Sequence, residues 1–80
     1  MRRKVTRSRV LSALELVRKF DISYQTLNHY TNLGLLRHAS RKGIRRFYRQ
    51  EDVKKRLRKI EALQNKGYPL RLIAERLRGR

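Results

Sequence analysis

A chain of 80 residues holds one small domain and excludes a second, because even one domain of this size buries only about 60% of its unfolded surface. Hydrophobic residues make up 39%, enough for one thin core, and the absence of cysteine excludes disulfides, thiolate metal sites and cysteine nucleophiles. Lys and Arg number 23 against 6 Asp and Glu, and the formal net charge of +17 favours a polyanionic partner, nucleic acid before an anionic membrane.

The first ten residues are strongly basic and contain no acid, and they offer little to bury. This composition predicts a flexible basic arm over residues 1–10, followed by one domain over residues 11–80. The arm is equally compatible with phosphate contact and with an unstructured chain end.

The first helix is predicted over residues 13–20. Ser12 and Glu15 have the spacing of a capping box, and Leu11 and Leu16 have that of a hydrophobic staple. The side chains expected to face inward are Ala13, Leu14, Val17 and Phe20.

A second helix follows after a tight turn at residues 20–22, with Ser23 as its cap and Gly34 as a left-handed stop. Leu27, Tyr30 and Leu33 share its inner face. The opposite face carries Tyr24, Gln25, Asn28 and His29. Two short helices joined in this way are typical of a helix-turn-helix.

The next segment predicts a β-hairpin, with strands at residues 35–36 and 44–48 and a turn at residues 40–43. Phe47 and Tyr48 are expected to pack on the helices, because an isolated hairpin is only marginally stable. The cations of this segment, which contains no acid, are Arg37, Arg41, Lys42, Arg45, Arg46 and Arg49.

A third helix begins at Glu51 and Asp52, whose charges suit the positive end of the helix dipole, and Gly67 ends it. Its inner stripe is Val53, Leu57, Ile60 and Leu63, and its outer cations are Lys54, Lys55, Arg58 and Lys59. Pro69 stands in the first turn of a fourth helix. That helix turns Leu70, Ile73, Ala74 and Leu77 inward.

Five segments in register resemble the DNA-binding domain of MerR-type transcription regulators. Residues 22–30 are similar to the family's Val-Ser-x-x-Thr-Leu-Arg-Tyr-Tyr, residues 32–36 to its Gly-Leu-Leu turn, and residues 46–48 to its Arg-x-Tyr wing. Residues 51–53 and 60–67 resemble its later helices. The resemblance implies a mainly α fold with a small β-hairpin wing, a winged helix-turn-helix of four helices.

The sequence departs from the family pattern at four positions. Asn28 and His29 replace an arginine and a tyrosine of the second helix, while Arg49 and Pro69 stand where capping residues are usual. Family regulators usually continue into a long dimerising helix and an effector domain. The resemblance covers residues 11–78 and not those parts, so it implies nothing about effector sensing.

The predicted function is sequence-specific binding of double-stranded DNA, with recognition helix 24–33 in the major groove and basic wing 37–49 on the phosphate backbone. The amides of Gln25 and Asn28 suit adenine, and Tyr24 and His29 share their face. Arg18 is expected to lie near the path of the DNA phosphate backbone in a docked winged helix-turn-helix. The DNA-binding residues expected in the wing are Arg41, Lys42, Arg45, Arg46 and Tyr48. The cations are expected either to clamp phosphates or to enter an adjacent minor groove. Tyr48 is expected either to donate its hydroxyl to a phosphate or to pack in the core.

Transcriptional regulation is the leading interpretation, and an architectural or excisionase-like recombination-directionality factor is the alternative. A structural RNA-binding protein is a further one, although the narrow major groove of RNA does not suit a recognition helix. One module covers few base pairs, so a second copy is expected side by side or head-to-tail on DNA.

No enzyme, cofactor or metal site is predicted. Ser23 and His29 are about 9 Å apart along one helix, and no carboxylate constellation accompanies them. No apolar run approaches the roughly 20 residues that span a bilayer, and the basic start lacks the apolar stretch of a signal peptide. We therefore expect a soluble intracellular protein, and the resemblance implies a bacterial one in the cytoplasm, associated with the nucleoid.

Overall fold

The computed structural model of the chain describes residues 9–78, which form four helices and a three-stranded antiparallel sheet. The elements in chain order are β1 (Val10–Ser12), α1 (Ala13–Phe20), α2 (Tyr24–Asn32), β2 (Ser40–Lys42), β3 (Arg45–Arg49), α3 (Gln50–Asn65) and α4 (Leu70–Arg78). The predicted winged helix-turn-helix is confirmed. The predicted arm over residues 1–10 lies outside the described residues except for Arg9 and Val10, and Val10 belongs to β1.

Helix α1 has the predicted bounds because its N-terminus is satisfied by a complete capping box. The hydroxyl of Ser12 accepts from the backbone N–H of Glu15 at 3.2 Å, and the Glu15 carboxylate accepts from the Ser12 N–H at 2.9 Å. The expectation that Leu14 is buried is wrong, since this side chain is 63% exposed. Leu14 lies about 100° around the helix from Ala13, beyond the arc that faces the core.

Helix α2 begins at Tyr24 as predicted and ends at Asn32, one residue before the end of the predicted range, with Leu33 as its C-cap. Ser23 accepts from the backbone N–H of Thr26 at 3.0 Å, and Asp21 makes the preceding turn in the left-handed conformation with φ of 54°. At the C-terminus, Gly34 has φ of 83° and donates to the carbonyl of Thr31, while Leu35 donates to the carbonyl of Tyr30. These two bonds form a Schellman motif, which is the left-handed stop expected at Gly34.

Residues 35–36 are not a strand, which corrects the predicted hairpin. The Schellman motif turns Leu35 and Leu36 directly into the core, where they are 1% and 3% exposed. A short apolar pair fits a buried turn as well as a strand, so its pattern alone does not separate the two.

The hairpin lies later in the chain than predicted, and its turn is shorter. Ser40–Lys42, expected as the turn, forms β2, and Lys42 pairs with Arg45 across a two-residue loop at Gly43 and Ile44. Gly43 supplies the positive φ of 62° that such loops require. Ile44, expected in a strand, is 90% exposed at the tip.

A third strand, β1, was not predicted and pairs with β3, so the strand order is β1-β3-β2. Strand β1 directly precedes α1, and its last residue, Ser12, is the N-cap of that helix. The carbonyl of Arg9 accepts from the backbone N–H of Gln50 at 2.8 Å. This contact satisfies one donor at the start of α3, where Arg49 provides no side-chain cap.

Two adjoining clusters form the core, and both helical stripes predicted for α3 and α4 contribute to them. The first contains Ala13, Leu16, Leu27, Leu36, Tyr48 and Val53, and the second contains Leu35, Ile60, Ile73 and Ala74. Tyr30 and Leu57 pack against both clusters, so the helix-turn-helix and the α3–α4 pair share one continuous interior. Arg56 also donates to the carbonyl of Leu77 at 3.3 Å, which ties α3 to the end of α4.

Candidate nucleic-acid interface

The outer face of α2 is polar and carries no Lys, Arg, Asp or Glu. Tyr24, Gln25 and His29 are exposed, Tyr24 by 47%, and Asn28 is half-buried. Leu27 on the opposite face is fully buried. The predicted division of this helix into a core face and a polar face is therefore confirmed, and four side chains that can donate or accept hydrogen bonds lie together on it.

The hairpin carries its cations on two faces, because successive side chains of β3 point in opposite directions. Arg45 stacks over the ring of Phe47 with 5.7 Å from its guanidinium carbon to the ring centroid. Arg46, on the other face, lies over the ring of Tyr48 at 5.9 Å. Arg41, Lys42 and Arg45 are exposed, whereas Arg46 is half-buried. These neighbours have different surroundings, so they are not interchangeable.

Two side-chain contacts join β3 to α2. Arg46 donates from Nη2 to Oδ1 of Asn28, and the hydroxyls of Tyr48 and Thr31 are 2.9 Å apart. Positions 46 and 48 are about 6.6 Å apart on one face of the strand. Positions 28 and 31 are one helical turn apart on one face of α2. The matching spacings fix the orientation of the hairpin relative to α2.

Tyr48 is buried in the core and is not part of the exposed surface of the hairpin. Its side chain is 0% exposed, and Thr31 already donates its single hydroxyl hydrogen to the carbonyl of Leu27 at 2.8 Å. The Tyr48 hydroxyl is therefore the donor to Thr31. Of the two roles predicted for Tyr48, packing is the one that its burial favours.

Acidic residues are absent from the segment that contains this surface. No Asp or Glu occurs between Asp21 and Glu51, a stretch that includes α2, β2 and β3. Arg18, in the last turn of α1, is exposed. The electrostatic potential of the hairpin is therefore positive and is not cancelled by acids of its own segment.

Helix α4 reaches the polar face of α2, which sequence reasoning missed. A hollow of about 540 Å³ is lined by Gln25, Thr26, His29, Tyr30 and Leu70, the last being the first residue of α4. A second hollow of about 460 Å³ lies between α3 and residues 35–37 and shares no lining residue with the first. The roles of Leu70 and Thr31 depend on tertiary packing, so no local motif indicates them.

Among residues 9–78, no helix is long and apolar enough to cross a membrane. Over the same range, His, Asp and Glu form no group of three or more that could hold a metal ion.

Comparison with known proteins identifies a family but no individual relative. The family model described as MerR HTH family regulatory protein matches residues 11–80. No curated protein and no solved structure matches the chain. The matched residues include both helices of the helix-turn-helix, the hairpin and the α3–α4 pair.

Proposed function

The chain belongs to the MerR HTH family of DNA-binding regulatory proteins, and on this premise we propose that it binds double-stranded DNA in a sequence-specific manner and regulates transcription. Helix α2, with its C-cap Leu33, enters the major groove, and the hairpin contacts the phosphate backbone beside it. This is the docking geometry of a recognition helix in a helix-turn-helix. The proposal places the protein with the nucleoid in the cytoplasm.

One observation supports this proposal above the others: the polar helix and the cationic hairpin form one preassembled surface. The Asn28–Arg46 and Thr31–Tyr48 contacts join them, and no acid interrupts residues 22–50. A rigid surface of this kind loses little conformational entropy on binding. A merely solvated basic surface would not require a cation of the hairpin, here Arg46, to be bonded to a polar helix.

The residues divide into two roles. Base edges are contacted by the polar face of α2, namely Tyr24, Gln25, Asn28 and His29. Phosphates are contacted by the exposed cations Arg41, Lys42, Arg45 and Arg18. Stacking on Phe47 holds Arg45 in place before DNA arrives, which reduces the rotamer entropy that its phosphate contact must overcome. Tyr48 supports the surface from inside the core.

Two copies on adjacent half-sites would provide the specificity that one module lacks. A single DNA-binding module buries about 600–1,000 Å² and covers few base pairs. We propose side-by-side or head-to-tail binding on repeated sites. An architectural or excisionase-like directionality factor would use the same surface, and it differs from a regulator in bending or joining DNA rather than controlling a promoter.

Selection of bound duplexes from a random pool tests this proposal, followed by competition with duplex RNA of the selected length and sequence. The expected result is a defined motif, recovered as one or two half-sites, with RNA competing at least tenfold less well. Recovery of unrelated sequences, or equal competition by RNA, would contradict sequence-specific DNA binding. Curvature measured on the selected duplex separates the architectural alternative from the regulator.

A further inference from the structure

The contact between Arg46 and Asn28 determines which atoms of the recognition helix are available to a base. Arg46 is in the position of the family's wing arginine, yet the residue is half-buried and its guanidinium donates to Asn28 of α2. It is held there by Oδ1 of Asn28 and by the ring of Tyr48. The Tyr48 hydroxyl is hydrogen-bonded to Thr31 of α2, so both partners that hold Arg46 are fixed relative to that helix.

The chemistry of the pair fixes the orientation of the Asn28 amide. A guanidinium has five N–H donors and no acceptor, so the atom of Asn28 that faces it must be the carbonyl oxygen. The two donors of the Asn28 NH₂ group are left on the other side of the amide. The charge of Arg46 strengthens this bond. The oxygen keeps a second lone pair, but a further donor that approaches it is repelled by the positive guanidinium beside it.

This orientation changes the expected base preference of Asn28. An asparagine that reads adenine must accept from the adenine N6–H₂ group with its oxygen while donating to N7. With the oxygen beside a positive charge, the adenine amino group and the cytosine amino group are both disfavoured. Guanine presents only acceptors, O6 and N7, to the major groove.

We propose that Asn28 and Arg46 act as one specificity-determining unit in which Arg46 positions the Asn28 amide as a donor that reads a guanine in the major groove. This inference rests on the proposed binding of duplex DNA and adds the identity of one base. Arg46 is then a positioning residue, in contrast to Arg41, its exposed cross-strand partner on β2.

The test uses the full chain and the duplex recovered by random selection. Each guanine in turn is replaced by 7-deazaguanine, which lacks the N7 acceptor. Each adenine is likewise replaced by 7-deazaadenine. The unaltered protein should lose about 5- to 150-fold in affinity at one guanine. Asn28→Ala and Arg46→Met should each abolish that sensitivity, and the double variant should behave like either single variant, because the two residues act together.

Arg41→Ala is the matched control, since it removes a cation from the paired position on the neighbouring strand. It should weaken binding to every duplex and keep the sensitivity to 7-deazaguanine. If Arg46→Met fails to fold, Asn28→Ala still provides the test. Asn28 is only half-buried, so this variant is expected to fold.

Three results would overturn the inference. Sensitivity to 7-deazaadenine that Asn28→Ala abolishes, without any such sensitivity to 7-deazaguanine, would show that Asn28 reads adenine. Retained sensitivity in Arg46→Met, together with a flatter salt dependence, would make Arg46 a phosphate contact. Failure of the unaltered protein to select any motif would overturn the proposed function as well, and this result is distinct from the other two.

Discussion

The hydroxyl of Tyr48 lies 2.9 Å from Oγ1 of Thr31, so a residue of the central strand is hydrogen-bonded to helix α2. The Thr31 hydroxyl in turn donates to the backbone carbonyl of Leu27, a buried residue of the same helix. The Tyr48 hydroxyl, the Thr31 hydroxyl and the Leu27 carbonyl are thus linked by two consecutive hydrogen bonds. The relative position of hairpin and helix is thus built into the fold before any partner binds.

Replacing Tyr48 by Phe should lower the free energy of unfolding by about 1 kcal/mol, because one hydrogen bond in the core is lost. For a domain of this size, that corresponds to a fall in Tm of about 4–8 °C. Thermal unfolding measures it, with Tyr24→Phe as the control whose hydroxyl is on the exposed face. Affinity for DNA should stay within about twofold below the Tm. A large loss of affinity without loss of stability would place the Tyr48 hydroxyl on a phosphate.

The two serine caps provide a matched pair, because each accepts from a backbone N–H three residues later. Ser12→Ala and Ser23→Ala should each cost about 1 kcal/mol of stability. Only Ser23→Ala should also weaken DNA binding, since it frays the turn that holds Tyr24 and Gln25. Urea unfolding and duplex binding measured on both variants check this. Equal losses of affinity in the two variants would contradict a specific role for α2.

The salt dependence of binding reports the number of phosphates contacted. If about six are neutralised, log K should fall with log salt at a slope of about −5. Arg45→Ala should weaken all duplexes and reduce the magnitude of that slope by about one. Lys59→Ala, an exposed cation of α3, is the control and should leave the slope unchanged. The reverse pattern would move the backbone contact from the hairpin to α3.

Gln25→Ala should cost about 1–3 kcal/mol of binding free energy on the selected duplex and little on an unrelated one. The reason is that an exposed amide on the outer face of α2 contributes through base edges, which differ between sequences. Titration of both duplexes at fixed salt measures the difference. A loss of the same size on both duplexes would show that Gln25 does not read bases.

The helices were predictable from local chemistry. The capping box at Ser12, the cap at Ser23 and the stop at Gly34 each use residues within one or two turns of the chain, and the structure has all three where the sequence indicates them. The core stripes of α3 and α4 follow from the helical period in the same way. The polar face of α2 was identified on the same ground.

The sheet and the contacts across it were not predictable in detail. Strand β1 is three residues long and gains its partner from a segment almost 40 positions away, so no local periodicity reveals it. The hairpin register depends on the Gly43–Ile44 loop rather than on the apolar Leu35–Leu36 pair. The Arg46–Asn28 contact needs both the strand register and the helix rotation, and sequence spacing supplies neither.

Titration of ¹⁵N-labelled protein with the selected duplex, followed by amide chemical shifts, tests the central claim most directly. The account predicts that the largest changes fall on Tyr24, Gln25, Asn28 and His29 and on residues 41–46, with α3 little affected. Changes concentrated on the α3 cations, with Tyr24 to His29 unmoved, would contradict it.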